Sequence, residues 1–205
     1  MLISAISVVL FPSLKRMNEN ELPAFYGTVR KTSTALLITS LIFYFIGAKI
    51  IDAWLPNYQA SVDYIGILLP TIIFSARASL LTNTYLKVYR KEKDLLWINV
   101  ITLMVAVILM FFCTVFFNDI KSVIIINTIM TIVRVNISEN IVSKHIDRKF
   151  QREQVEELII TCLFIVITQK CTLLYGAISY FALIIVYFAL HRDVLSELRT
   201  VVIRH

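Results

Sequence analysis

Six long apolar stretches follow an apolar stub and alternate with basic and then almost uncharged connections. A run of about 20 apolar residues at 1.5 Å rise crosses the hydrocarbon layer as a helix. Lipid offers the backbone no hydrogen-bond partners, so an open sheet is excluded. The runs are continuous rather than alternating, which also argues against a barrel. The fold class is therefore an all-α integral membrane protein with six full transmembrane helices after a truncated first one.

Charge sets the orientation. Lys15, Arg16, Arg30 and Lys31 follow the stub Met1–Pro12, and the next connection, Asp52–Asp63, has no Lys or Arg. Lys87, Arg90, Lys91 and Lys93 come next, then Lys121 alone, then Lys144, Arg148, Lys149 and Arg152, then Lys170 alone, and finally Arg192, Arg199 and Arg204. Cytoplasmic loops carry the excess of Lys and Arg, so the C-terminus is predicted to be cytoplasmic. The net charge of +6 lies mostly in those inward loops, where it meets anionic membrane lipids; no nucleic-acid partner is expected.

The predicted helices cover 33–51, 64–82, 95–117, 120–143, 155–168 and 172–190, with 1–12 as a partial helix and 191–205 as a cytoplasmic tail. Leu22, Phe25, Tyr26 and Val29 read as an amphipathic piece on the inner surface. Trp54, Pro56 and Tyr58 read as an aromatic anchor and a turn at the outer interface. The fifth apolar segment after the stub, 155–168, is only about 20 Å long and needs help from its flanks. In the tail, Val194, Leu195, Leu198, Val201 and Val202 share one helical face, as in a surface helix.

Catalytic motifs are absent: there is no phosphate-cradling Gly-rich loop, nucleophile elbow or metalloprotease helix. No enzymatic activity, metal or cofactor is expected. Cys113, Cys162 and Cys171 have no metal or disulfide spacing and are expected to pack as small apolar residues. His145, His191 and His205 fall at the cytoplasmic edge or tail and are expected to be solvated. Asn136-Ile137-Ser138 matches a glycosylation sequon but lies within a membrane segment.

The informative polar residues are those inside apolar segments. A charge at mid-bilayer costs about 2.5–3.5 kcal/mol on insertion scales and usually faces a cavity or a partner. Asn127, Thr131, Arg134 and Ser138 recur at i, i+4, i+7 and i+11, one continuous stripe. Arg134 is the leading cavity candidate and Arg77 the weaker one, since it lies off its own segment's stripe of Thr71, Ser75, Ser79 and Thr82. Structural pairing, for instance of Arg134 with Glu139, and snorkelling to the inner headgroups are the alternatives. Glu139 is expected at the cytoplasmic interface, as a pairing residue or a proton relay. A cavity arginine suits a phosphate-bearing lipid, because its planar fork binds phosphate oxygens bidentately and stays charged.

Three segments in order resemble polysaccharide flippases of the Wzx-like type, in the MATE-type exporter superfamily. They are ISAISVVLFPSL at Ile3–Leu14, WLPNYQAS at Trp54–Ser61 and LLTNTYLKVYRKEKDLLWINV at Leu80–Val100. Beyond Val100 only hydropathy and topology agree. The resemblance implies the C-terminal helical lobe of a transporter in the bacterial inner membrane. Its cargo would be an undecaprenyl-pyrophosphate-linked oligosaccharide, held at the pyrophosphate by cavity cations such as Arg134 and Arg77, with Asn127, Thr131 and Ser138 beside them. Such transporters have two lobes around the site, so a missing N-terminal lobe or a partner chain is expected. A non-transporting scaffold of a polysaccharide assembly complex is the alternative from another class.

Overall fold

A computed structural model describes Leu14, residues 21–146 and residues 150–191. The stub 1–12 and the predicted tail helix lie outside the described residues. Among the described residues the chain forms six helical rods. Five of them are long and apolar enough to cross a membrane: Leu22–Trp54, Ser61–Val88, Glu92–Phe116, Ile120–Ile146 and Leu173–Leu190. The sixth, α7 (Gln151–Lys170), carries Arg152, Glu153, Glu156 and Glu157 in its first two turns. Their charge keeps it out of the apolar class.

The first rod begins well before the predicted 33. It comprises α1 (Leu22–Ser40) and α2 (Phe43–Trp54), with Pro23 in the first turn, where a missing N–H costs nothing. The 22–29 segment is thus the inner end of a spanning rod, not a surface helix. The rod is interrupted at Leu41–Ile42, where amides bond three residues back, Leu41 N to Ile38 O and Ile42 N to Thr39 O. No Pro or Gly causes this. The Thr39 and Ser40 hydroxyls donate back to the carbonyls of Ala35 (2.8 Å) and Leu37 (2.6 Å), a competition that bends helices. The Tyr180 hydroxyl donates to Ile38 O at 2.8 Å and secures the interruption.

The second rod comprises α3 (Gln59–Arg77), a π-helical turn (Ala78–Thr82) and α4 (Asn83–Val88). Pro70 lies inside α3 and removes one rung of its hydrogen-bond ladder. The wider turn at Ala78–Thr82 leaves the Ser79 carbonyl to the Thr84 hydroxyl, five residues on. Arg90, at φ 54°, closes the rod with a bond from Lys91 N to Leu86 O of 2.8 Å, the six-to-one bond of a left-handed helix cap.

A hairpin follows. α5 (Glu92–Phe117) ends at Asn118 with φ 47°, a residue type that tolerates this conformation. α6 (Ile120–Ile146) starts at once, with Asp119 accepting from Lys121 N (3.0 Å) and the Ser122 hydroxyl (3.2 Å), as a capping residue does. α8 (Leu173–Leu190) completes the bundle. α6 packs on both α5 and α3, α7 on α3 and α8, and α2 on α8. Trp54 and Tyr58 are exposed, and the expected turn is a 3₁₀ turn at Pro56–Tyr58.

Packing concentrates in two aromatic clusters. The inner one, so named for the end of the bundle that the charge of Lys87, Arg90 and Lys144 predicts to face inward, joins Leu14, Leu22, Tyr26, Tyr85, Val142 and Phe150. Tyr26 meets Tyr85 edge-on at 4.7 Å between centroids. The outer one joins Leu41, Tyr44, Phe45, Phe164, Tyr180 and Ile184, with Phe164 edge-on to Tyr180 at 5.0 Å. In lipid the hydrophobic effect gives helices no reason to associate, so such close contacts and interhelical polar bonds hold them together. Cys113 is half-buried, but Cys162 and Cys171 are exposed. Those two are therefore not the packing residues expected.

Candidate functional site

Between the two aromatic clusters four helices each place a charge in the protein interior. Arg30 comes from α1, Arg77 from the end of α3, Glu139 from α6 and Glu157 from α7. Their exposures are 2%, 3%, 0% and 6%. Helical spacing puts them there. On α1, Leu22, Tyr26, Arg30, Thr34 and Ile38 recur every four residues and are all buried, so Arg30 belongs to the packed face. On α6, Val135, Glu139, Val142 and Ile146 form the corresponding face. On α7, Gln154, Glu157 and Thr161 do so at spacings of three and four.

The four charges form a ring in which both arginines contact both carboxylates. Arg30 Nε lies 2.5 Å from Glu139 Oε1 and Arg30 Nη2 lies 3.2 Å from Oε2, a two-pronged contact. Arg30 Nη1 is 3.2 Å from Glu157 Oε1. Arg77 Nη1 donates to Glu157 Oε2, and Arg77 Nη2 is 3.7 Å from Glu139 Oε2. Neutral donors complete the carboxylates. Gln154 Nε2 donates to Glu139 at 2.7 Å, the Tyr26 hydroxyl to Glu139 at 3.3 Å, and the Thr34 hydroxyl to Glu157 at 3.1 Å. Each guanidinium also faces a ring: Arg30 sits 5.3 Å from the Phe150 centroid and Arg77 5.2 Å from that of Phe74. With both carboxylates ionised the ring sums to zero charge. That neutrality allows it to lie about two turns in from the inner ends of α1, α6 and α7.

Two spaces adjoin the ring. A cleft of about 260 Å³ is lined by Arg30, Thr34 and Glu157, with Lys31, Arg152 and His191 among the residues of its wall. His191 Nε2 lies 3.1 Å from Glu156 and its ring stacks on Tyr187 at 4.7 Å, so this histidine is held rather than free in solvent. A void of about 10 Å³, the space of a single water, touches Thr34, Arg77, Glu157 and Thr161. Arg77 Nε and Nη2 make no hydrogen bond among the described residues.

These positions revise the sequence expectations. Glu139, expected at the interface, is fully buried and acts as a pairing residue. Its partners are Arg30 and Arg77, not Arg134. Arg77 is neutralised by carboxylates on two other helices, so neither snorkelling nor an open cavity describes it. Arg30, counted as a loop charge, is an interior residue. Sequence reasoning missed Arg30 and Gln154 because each sits at the edge of an apolar run and was assigned to a connection, and it passed over Glu157 although the predicted helix 155–168 contains it. Their spacing with buried apolar neighbours on one helical face was the available signal.

Arg134 lies elsewhere. It is half-buried at the middle of α6, and Asn127 and Thr131 beside it are also half-buried, while Ser138 is buried. Arg134 has no ion pair among the described residues. The two polar stripes named from sequence diverge. Thr71 of α3 pairs with Thr128 of α6 at 3.0 Å, and Thr128 also donates to Ile67 O at 3.1 Å. The α3 stripe thus meets α6 through Thr71, and its Thr82 is fully buried, whereas Asn127, Thr131 and Arg134 stay half-buried. The sequon Asn136–Ser138 lies within α6, as expected.

No protein-family model matches the chain, and no curated protein or solved structure is significantly similar to it.

Proposed function

We propose that this chain forms one helical lobe of a flippase for undecaprenyl-pyrophosphate-linked oligosaccharides in the bacterial inner membrane, and that Arg134 contacts the pyrophosphate. The observation that carries the reading is the contrast among the intramembrane arginines. Arg30 and Arg77 are neutralised within the bundle. Arg134 is about 20 Å from either end of α6 by helical rise, on a half-exposed polar face, without a carboxylate partner among the described residues. A guanidinium at that depth requires water, an anion or a second protein surface. A pyrophosphate satisfies its two-pronged geometry, and Asn127 and Thr131 add neutral hydrogen-bonding groups on the same stripe. The order of the three segments that resemble polysaccharide flippases supports the same reading. A second lobe would close the polar face and complete the two-sided site that alternating access needs.

The test starts with undecaprenyl pyrophosphate binding to the purified chain in lipid nanodiscs. Arg134→Ala is expected to weaken binding by about 10–100-fold, the value of a charged hydrogen bond. Arg134→Lys is expected to fall between, since it keeps the charge and loses the fork. Unchanged binding in Arg134→Ala would sink the site. The variant is then placed with a second lobe in a flippase-deficient bacterium. Loss of surface polysaccharide supports transport, whereas normal polysaccharide despite lost binding would favour a scaffold of the assembly machinery.

A further inference from the structure

We propose a second binding site, a groove between α2 and α8 in the outer half of the bundle that takes the hydrocarbon chain of an anionic lipid, with Lys49 on the lipid phosphate. The inference does not depend on the flippase reading.

The groove has a volume of about 720 Å³ and is lined almost wholly by apolar side chains, Ile46 and Ile50 from α2 and Leu174, Ala177 and Ile178 from α8 among them. That volume is within the usual range of ligand pockets, about 300–1,000 Å³. Its shape follows from one close contact. Gly176 lets α8 approach α2 so tightly that an added Cβ would lie 2.9 Å from Phe45 Cε1. Beside this contact the two helices leave the groove open. Its wall residues Ile46, Ile50, Leu174 and Ile178 are all more than half exposed, so within a bilayer the space is filled by hydrocarbon.

Charge selects among lipids. Two charged residues line the groove, Lys49 and Asp52. Asp52 accepts a hydrogen bond from the Gln59 side-chain amide. Lys49 is exposed and has no ion pair among the described residues. It lies five residues before Trp54, about 7.5 Å along the helix, so its flexible stem reaches headgroup level. A lysine at this end of the bundle does not serve orientation, since basic residues are depleted on the outer side. Asp52 keeps its charge but is turned to Gln59 and makes no ion pair with Lys49, so a phosphate above a chain seated in the groove gives Lys49 its partner.

Native mass spectrometry of the purified chain, with dioleoylphosphatidylglycerol or dioleoylphosphatidylcholine added to the detergent, tests the site. The wild-type chain is expected to retain the anionic lipid about fivefold better, the factor one lysine contributes near an anionic surface. Lys49→Ala is expected to bring the two lipids to parity. Ile178→Trp, which fills the groove from an exposed position, is expected to reduce retention of both. Neither variant removes a packed side chain, and circular dichroism checks the fold. Parity in the wild type, or a preference surviving in Lys49→Ala, overturns the lysine's role. Unchanged retention in Ile178→Trp overturns the groove.

Discussion

The charge ring and the polar stripe of α6 use the same side chain for opposite ends. In the ring, Arg30 and Arg77 are buried, shared between two carboxylates and covered by phenylalanine rings. On the stripe, Arg134 is half-buried with hydrogen-bonding neighbours and no carboxylate among the described residues. An intramembrane arginine is therefore not by itself a sign of a ligand site. What distinguishes the two regions is whether the protein supplies the counter-charge. Where it does, the charges fasten helices together; where it does not, the charge is directed at something else.

The largest effect should come from breaking the ring. Glu139→Ala leaves two buried guanidiniums with one carboxylate, and removal of one partner from a buried network typically costs about 3–5 kcal/mol. Unfolding in detergent, followed by circular dichroism, should move by that much; a loss below about 1 kcal/mol would mean the ring does not hold the bundle. The double variant Arg77→Met with Glu157→Leu should be much milder than either single change, because apolar side chains of similar size replace a buried pair at little cost.

Arg134→Leu should move stability the other way or not at all. Deleting an unneutralised charge at mid-membrane removes a penalty of up to about 3 kcal/mol on insertion scales. If Arg134→Leu instead destabilises the isolated chain as Glu139→Ala does, the distinction between the two regions fails. The smallest effect belongs to Arg152→Ala. Its ion pair with Glu156, at 3.0 Å, sits on an arginine that is 91% exposed, and exposed pairs of this kind contribute about 0.5 kcal/mol or less. A shift comparable to that of Glu139→Ala would show that the exposed cleft holds the bundle as strongly as the buried ring does, and the ring would lose its special standing.

Much of the fold was legible in the chain. The apolar runs gave the rods, and Asn118-Asp119 and Pro56 marked turns that the structure contains. The errors lie at inner helix ends. The first rod starts at Leu22 rather than 33, and α7 at Gln151 rather than 155, because hydropathy ends where charged residues begin. That rule assumes a charge near the interface faces water. Arg30 and Glu157 break it, since each has a counter-charge on another helix. The candidate site was legible in part. The stripe of Asn127, Thr131 and Arg134 is a property of one helix and its spacing, and it stays a shared half-buried face in the folded chain. Glu139 and Arg77 were visible as unusual residues, but their pairing with each other was not.

The sequence by itself determined the number of apolar crossings to within one helix and the face on which Arg134 lies. Each of these depends on residues a few positions apart along one chain segment, or on the solvent a segment must enter. Only the tertiary structure decided which charges are neutral. Arg30 and Glu139 are 109 positions apart, and Arg77 and Glu157 are 80 apart. The energy of such a pair depends on a few ångströms of separation and on the exclusion of water, and helix packing sets both.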